Sequence, residues 1–180
     1  MLTLGSEWNV YRQETAASVS AEADLVRQVV AAEVPLFAIC FGAQVLAHAC
    51  GGQVTPTPTP EIGWFDVDLD GTRGTSGVAA GPWVQWHYDV FTLPDGFEEL
   101  ARTTVGPQLI RSGRTLGTQF HPEATETMLR RWLGMGGAEQ VRQHGGDPAE
   151  LLALTRTNVE RSQPNAAALV DWFLSDVAPT

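Results

Sequence analysis

The chain has 180 residues, of which 43% are hydrophobic, and it carries a formal net charge of −10 at neutral pH. This length is sufficient for a sizeable core, and the composition excludes an intrinsically disordered chain. The strong negative charge argues against nucleic acid or an anionic membrane as a partner.

The cysteine content and the hydropathy indicate the compartment. Two cysteines do not make the disulfide framework of a small secreted domain, so a reducing environment is expected. No stretch approaches the roughly 20 apolar residues of a membrane-spanning helix, and the N-terminus lacks a signal-peptide pattern. We therefore predict a cytoplasmic protein that does not enter a membrane, with residues 1–180 forming a single domain.

The N-terminal segment is predicted to contain the end of a strand and one helix. Residues 1–4 are apolar enough to end a strand, and Gly5 begins a turn out of it. Residues 20–33 place apolar side chains at helical spacing, which predicts an amphipathic helix that ends before Pro35.

A sharp strand-to-helix corner follows this helix. The apolar run at 34–39 predicts a strand covered on both faces, and residues 43–50 predict a helix. Cys40 lies at the corner between them, and Gly42 gives the room that a sharp turn requires. This arrangement is that of a nucleophile elbow, in which the helix N-terminus favours a thiolate. Cys40 is therefore a candidate nucleophile, although a cysteine after a buried strand is also commonly an inert core residue.

The middle of the chain is predicted to be rich in extended structure. The Thr-Pro repeat at 55–60 predicts a stiff extended connection, and residues 65–70 alternate apolar side chains with Asp, as in a half-exposed strand. We interpret the three aspartates as a solvated face rather than a metal site. Residues 71–77 form a predicted loop, and the aromatic-rich stretch at 82–91 predicts a further strand. His87 within that strand is one candidate for a general base.

A second candidate base follows a predicted hairpin. Residues 108–111 and 115–120 flank a Ser-Gly-Arg turn, which predicts two antiparallel strands. His121 and Glu123 come next and project to the same side of the extended chain, with a stiffening proline between them. A histidine that takes a thiol proton, oriented by a carboxylate, completes a Cys–His–Glu set with Cys40. Taken alone, such a pair is more often a polar surface feature.

The C-terminal part is predicted to be mainly helical. Residues 123–133 predict one helix, whereas the glycine-rich stretch at 134–146 predicts a loop. Two further helices are expected at about 148–161 and 164–176, with Asp147 as the N-cap of the first.

Three motifs in this order resemble those of the class I glutamine amidotransferases. The elbow AICFGAQ at 38–44 is similar to the family pattern G-[IV]-C-x-G-x-Q, with Ala38 in place of the usual glycine. The stretch WHYD at 86–89, followed by Leu-Pro at 93–94, resembles W-x-H-x-D…L-P of the GMP-synthase-like branch. The pentapeptide QFHPE at 119–123 matches the second family motif without change.

This resemblance implies a fold and a set of three reacting side chains. The fold would be an α/β, flavodoxin-like one, with a mostly parallel sheet, helices on both faces and the elbow at the carboxyl ends of the strands. Catalysis would belong to Cys40, His121 and Glu123. The rival base His87 would then have a substrate-side or structural role.

The resemblance also implies the groups around the substrate. The backbone N–H groups of Gly5 and Phe41 would form the oxyanion hole, and Gln44 would contact the bound substrate. The implied reaction is hydrolysis of the side-chain amide of L-glutamine through a thioester, with ammonia passed to a separate synthetase. No metal and no organic cofactor is implied, and the chain has no P-loop pattern of a synthetase.

Alternatives remain open at this point. A γ-glutamyl hydrolase would use the same three side chains on a larger substrate, and a non-catalytic relative would bind a partner instead. The sequence leaves a homo-oligomer open.

The N-terminus is short by the standard of the family. The family's oxyanion-loop strand follows an opening β-α-β unit of roughly 30 or more residues, whereas four residues precede Gly5. We expect that the natural start lies upstream or that another chain fills this position. Without that unit, the elbow strand at 36–40 is expected to have an open edge.

Overall fold

The computed structural model describes residues 1–71 and 78–179, so the predicted loop at 71–77 lies outside the described residues except for Gly71. The strands are Leu2–Thr3 (β1), Leu36–Ile39 (β2), Val54–Phe65 (β3), Asp68–Leu69 (β4), Trp83–Phe91 (β5), Glu98–Arg102 (β6), Pro107–Ser112 (β7) and Thr115–Thr118 (β8). The α-helices are Ala16–Ala31 (α1), Phe41–Ala49 (α2), Glu126–Trp132 (α3), Ala138–Gln143 (α4) and Pro148–Trp172 (α5). Shorter helical turns are Gln13–Thr15, Leu133–Gly137 and Phe173–Val177.

A six-stranded sheet in the order β1-β2-β8-β7-β6-β4 forms the centre, and β3 pairs with β5 in a separate antiparallel ribbon. β2 pairs in parallel with β1 and with β8, so that Ala38 lies opposite both Thr3 and Gly117. The pairings of β4 with β6, β6 with β7 and β7 with β8 are antiparallel. Connections as short as that between β7 and β8 require this direction, because a parallel crossover needs a dozen or more residues. The predicted α/β class is confirmed, with its parallel pairings at β1, β2 and β8.

β2 is buried on both faces, and helices cover each of them. Leu36 and Ala38 belong to a core with α1 and α2, whereas Phe37 and Ile39 belong to a core with the end of α5. Successive side chains of a strand point to opposite faces, so this short run serves two cores at once. The predicted helices on both faces are therefore confirmed.

The Thr-Pro run is a strand rather than the predicted connection. It lies in β3, opposite β5, with a shift of register between Pro56 and Glu61. The shift is expected there, because proline cannot donate a hydrogen bond to the ladder. The half-exposed strand predicted at 65–70 is divided between the end of β3 and the two residues of β4.

Two predictions for the C-terminal part are wrong. The stretch at 134–146 is mostly helical, since it holds a kinked turn and then α4, whose Val141 is buried. The predicted break before Pro164 does not occur, and α5 runs through it. Pro164 removes one backbone donor, but Ser162 and Leu169 on either side are buried. Packing of that face outweighs the cost of the proline. Among the described residues, no helix has the length and apolarity needed to cross a membrane.

The prediction of an open edge at the elbow strand is also wrong. β1 is the edge of the six-stranded sheet, and β2 lies inside it between β1 and β8. The pairing of Leu2 with Phe37 and of Thr3 with Ala38 satisfies that side of β2. β1 is only two residues long, which limits the edge that it exposes.

Candidate active site

Cys40 occupies a strained corner between β2 and α2. Its φ of 52° and ψ of −110° lie outside the ordinary regions for a residue with a side chain. Such a conformation costs on the order of 1–3 kcal/mol and persists only where the surroundings impose it. Here the Cys40 N–H donates to Thr118 O at 2.7 Å, and its carbonyl accepts from Gln44 N at 3.0 Å. The predicted elbow is therefore present, with Cys40 at its apex.

Glycines on both sides of Cys40 allow the close approach of neighbouring segments. A Cβ on Gly42 would lie 2.4 Å from Thr3 Oγ1 and 3.0 Å from the carbonyl carbon of Thr3, because α2 begins directly against β1. A Cβ on Gly5 would lie 2.9 Å from Cε1 of His121 and 3.6 Å from Cβ of Cys40. The backbone of Gly5 therefore lies directly beside the two side chains that the sequence singles out.

The segment after β8 brings His121 to the same place. The His121 N–H donates to Val84 O at 2.8 Å, which fixes this residue against β5. Its Nδ1 lies 2.7 Å from Glu123 Oε1, and the ring lies close enough to Cys40 for that residue to raise the pKa of the histidine. The fold thus brings Cys40, His121 and Glu123 to one place, whereas their catalytic roles stay a prediction.

The charge state of His121 follows from these neighbours. Its complete burial alone would lower the pKa of the imidazole. The opposing charge of Cys40 and the hydrogen bond to it, followed by the hydrogen bond to Glu123 and its charge, outweigh burial and raise the pKa of His121 to about 10. At neutral pH the site therefore holds an imidazolium beside the sulfur of Cys40.

A pocket of about 490 Å³ opens in front of these side chains. One wall is aromatic: the Trp132 ring lies edge-on to His121 with centroids 5.0 Å apart, and Trp86 lies edge-on to Trp132 at 5.6 Å. Trp86 Nε1 also donates to Gln140 Oε1 at 2.8 Å, which ties β5 to α4. The residues around the pocket are Leu4, Gly5, Ser6, Glu7, Cys40, Trp86, His121, Glu123, Met128, Trp132, Met135, Gly137 and Gln140.

The remaining residues predicted for substrate binding lie at different depths. Gly5 lines the pocket, and Phe41 is the first residue of α2, where a backbone N–H has no acceptor within the helix. Gln44 is buried, and its Nε2 donates to Gln119 Oε1 at 3.2 Å. Gln119 in turn points its Nε2 at Cys40 Sγ, 3.6 Å away. A contact between Gln44 and substrate stays a prediction.

Sequence reasoning missed several residues of the site. Gln119 opens the QFHPE motif two residues before His121, and this position directly after β8 could have indicated a role beside Cys40. Trp132 lies in the helix predicted at 123–133, but nothing in the sequence places its ring at the pocket. Gln140 carries no comparable signal, because it reaches the pocket only through α4, in the stretch predicted to be a loop.

His87, the rival base, lies away from this pocket. It is buried, with Nδ1 3.0 Å from the carbonyl oxygen of Asp89 and Nε2 3.0 Å from Glu61 Oε2. It is absent from the residues that line the pocket in front of Cys40. Within residues 1–71 and 78–179, no group of three or more His, Cys, Asp or Glu side chains is arranged to hold a metal ion.

Known proteins are similar to this chain in both sequence and fold. Residues 12–133 match the family model described as glutamine amidotransferase class-I. A GMP synthase [glutamine-hydrolyzing] of Aeropyrum pernix is 32% identical over 166 residues, which cover 86% of this chain and 30% of that protein. The corresponding protein of Mycolicibacterium paratuberculosis is 35% identical over 171 residues, covering 79% of this chain and 31% of its own length. The chain thus spans about a third of the length of these curated relatives.

The fold comparison agrees with the sequence comparison. A crystal structure of a glutamine amidotransferase from Thermotoga maritima superimposes with a TM-score of 0.86 at 23% identity. The match covers 97% of this chain and 78% of the other, which extends the shared fold well beyond residues 12–133. From the family model, the curated relatives and this fold, the chain belongs to the class I glutamine amidotransferase family.

Proposed function

We propose that this protein hydrolyses the side-chain amide of L-glutamine and releases ammonia, with Cys40 as nucleophile. The observation that carries the proposal is the continuous contact of Cys40, His121 and Glu123 at the floor of an open pocket. A nucleophile, a base within hydrogen-bond reach and a third group that orients the base are the parts that covalent amide hydrolysis requires.

The first half of the reaction forms a thioester. The Cys40 thiolate attacks the δ-carbonyl carbon of glutamine, and the carbonyl electrons move to the oxygen. The tetrahedral intermediate then expels the amide nitrogen, which takes the His121 proton and leaves as ammonia. Glu123 holds the ring through Nδ1 and stabilises its positive charge, as the 2.7 Å contact permits.

The second half restores the enzyme. Neutral His121 removes a proton from a water molecule, whose oxygen attacks the thioester carbonyl. Collapse of this second intermediate breaks the carbon–sulfur bond, so glutamate leaves and the thiolate–imidazolium pair is formed again. One imidazole thus gives the proton to the leaving ammonia and takes one from water, and the new γ-carboxyl group of glutamate releases its remaining proton to solvent.

The oxyanion of both intermediates would be held by the backbone N–H groups of Phe41 and Gly5. Phe41 is at the N-terminus of α2, and Gly5 lies beside Cys40 and His121. Loss of one such donor typically costs about 10²–10³ in rate. We propose for Gln44 a contact with the bound glutamine, and its bond to Gln119 supports a fixed position next to Cys40.

The ammonia is proposed to pass to a separate synthetase. The curated relatives combine glutamine hydrolysis and GMP synthesis in their names, and this chain spans only about a third of their length. Neither cysteine forms a disulfide, which agrees with the proposed cytoplasmic location. One domain of 180 residues then supplies the glutaminase half of the reaction.

The pocket favours γ-glutamyl hydrolysis as the second candidate. Its volume of about 490 Å³ lies in the range of roughly 300–1,000 Å³ found for pockets that hold drug-sized ligands. The aromatic wall of Trp86 and Trp132 would contact the amine portion of a larger γ-glutamyl amide. The same three side chains would cleave that bond.

Ammonia and amine release from a matched panel tests both candidates. The purified protein is assayed with L-glutamine and with γ-glutamyl amides of small, apolar and cationic amines, and Cys40→Ala serves as the inactive control. We expect glutamine to give the highest kcat/KM. A clear preference for a larger amide supports the second candidate, and no release from any member contradicts both and favours a non-catalytic binding protein.

A further inference from the structure

The segment that carries Gly5 is tied to a buried carboxylate on another element. We define the oxyanion loop as residues 5–12, which lie between β1 and the turn at Gln13–Thr15. Asn9 Nδ2 and the Tyr11 hydroxyl each donate to one oxygen of the Asp89 carboxylate, the second at 2.7 Å. Asp89 belongs to β5 and is only 4% exposed. These two hydrogen bonds therefore join segments that are 80 and 78 residues apart in the sequence.

Asp89 is itself held by a polar cluster whose side chains come from β3, β5 and β7. His87 Nδ1 lies 3.0 Å from the carbonyl oxygen of Asp89, and its Nε2 lies 3.0 Å from Glu61. Gln108 donates to Glu61 at 3.0 Å and accepts from Gln85 at 2.7 Å. Buried hydrogen bonds of this kind fix side-chain positions more firmly than a surface pair does, and they hold Asp89 here although His87 Nε2 and Gln85 Oε1 make no hydrogen bond to the described residues.

The start of the oxyanion loop is held separately, because Leu4 O accepts from Gly42 N at 3.2 Å and so fixes the peptide group that carries the Gly5 N–H. The other contacts within the loop are weaker anchors. The Trp8 N–H donates to Ser6 Oγ at 3.2 Å, and the Arg12 N–H donates to Asn9 O at 3.5 Å, so both bonds are local. Val10 packs in the core, but apolar packing is not directional, so it does not orient the backbone N–H groups of the loop. Partial burial, together with the hydrogen bond to Asp89 and its charge, raises the pKa of Tyr11 to about 12, so the hydroxyl stays a donor.

We propose that Asp89 is a positioning residue for amide hydrolysis, and that it acts through Asn9 and Tyr11 to hold the Gly5 N–H at the oxyanion. The proposal rests on the function proposed above. Gly5 stands so close to His121 and Cys40 that a small shift of the loop changes the geometry of the hole. The bond between His121 and Glu123 would be kept, since both residues lie on a different segment. Asp89 therefore acts on stabilisation of the oxyanion and leaves the activation of Cys40 unchanged.

Two reactions of Cys40 separate these effects. Hydrolysis of glutamine uses the oxyanion hole, whereas alkylation by iodoacetamide needs the thiolate but no hole. For Asp89→Asn we expect kcat to fall by about 10- to 100-fold, as for misplacement of a catalytic group by about 1 Å. The alkylation rate of Cys40, followed by peptide mass spectrometry, should stay at the wild-type value. Asp95→Asn, in the exposed turn after β5, is the matched control and should change neither rate.

Tyr11→Phe keeps the test valid if Asp89→Asn fails to fold. It removes one of the two bonds and should lower kcat in the same direction by a smaller factor. Unchanged kcat in both single variants would overturn the proposal, as would a parallel fall of kcat and alkylation. A wild-type protein that releases no ammonia while Cys40 still alkylates would overturn the proposed function, and this proposal with it.

Discussion

The described part of the chain contains two histidine–carboxylate pairs with nearly the same geometry and very different surroundings. His121 and Glu123 are 2.7 Å apart, and His87 and Glu61 are 3.0 Å apart. In the first pair the carboxylate side chain is 31% exposed and the pocket opens beside it, whereas the carboxylate of the second pair is 6% exposed. The ring of His121 contacts Cys40, while both ring nitrogens of His87 face oxygen atoms inside the protein.

The comparison shows that the role of each pair depends on the group at the other side of the imidazole: Cys40 for His121 and the carbonyl oxygen of Asp89 for His87. An imidazole with a carboxylate on one side and a sulfur on the other can move a proton between substrate and water. An imidazole held between a carboxylate and a backbone carbonyl has no such acceptor within reach, and its contribution is to fix β3 against β5. The same chemical groups therefore serve reaction chemistry in one place and rigidity in the other.

The largest effect is expected from the sulfur that distinguishes the first pair. Cys40→Ala should lower glutamine turnover by more than about 10⁴-fold, because no other nucleophile stands beside His121. Cys50→Ala is the matched control, since that thiol lies at the end of α2, where burial raises its pKa. Ammonia release by the two variants provides the measurement. Equal losses would contradict the distinction between the cysteines.

Replacement of each histidine by alanine tests directly whether the two pairs have different roles. His121→Ala should cost nearly as much turnover as Cys40→Ala, since the two residues act as a unit. His87→Ala should cost less turnover but lower the free energy of unfolding by about 3 kcal/mol, because it empties a fully buried site and leaves Glu61 with Gln108 alone as a hydrogen-bond donor among the described side chains. Urea unfolding and kcat are measured on the same preparations. Loss of turnover at unchanged stability in His87→Ala would reverse the roles assigned here.

A milder effect is expected from the carboxylate of the first pair. Glu123→Gln keeps the shape of the side chain and removes the charge that stabilises the imidazolium. We expect a loss of turnover that is smaller than that of Cys40→Ala by about 10- to 100-fold. A loss equal to that of Cys40→Ala in a normally folded variant would assign Glu123 a direct chemical step.

The smallest effect is a dependence of stability on pH. The pKa of His121 is raised from its ordinary value of 6.5 to about 10, so the folded protein binds this proton more tightly than the unfolded chain. The stabilisation is complete below about pH 6.5 and is lost as the pH rises toward 10. In Cys40→Ala the decline between these values should be smaller, because the sulfur contributes to the raised pKa. Thermal unfolding across this range measures the difference, and identical slopes would contradict the link.

The first pair could be predicted from the sequence and the second could not. His121 and Glu123 lie two residues apart at the end of a strand, and Cys40 lies at a corner marked by Gly42, so local patterns indicate each position. Glu61 is far from His87 in sequence, and it follows a Thr-Pro run that reads as a connection. Its role appears only once β3 pairs with β5 and places Glu61 opposite His87.

The wall of the pocket was hidden for the same reason. Trp132 and Gln140 lie on either side of a glycine-rich turn, which predicts a loop by composition. Val141, which is buried, and the bond from Trp86 to Gln140 hold this stretch as helix over the pocket. Packing contacts of this kind override a local preference, and they are invisible until the tertiary partners are known.

Active-site labelling tests the central claim most directly, namely that Cys40 beside His121 is the glutamine-directed nucleophile. The wild-type protein is treated with a glutamine-like diazoketone, with and without excess L-glutamine, and the modified peptides are mapped by mass spectrometry. The account predicts one label per chain, on Cys40, with protection by glutamine and no label in His121→Ala. Modification of Cys50 instead, or labelling of Cys40 that glutamine does not slow, would contradict it.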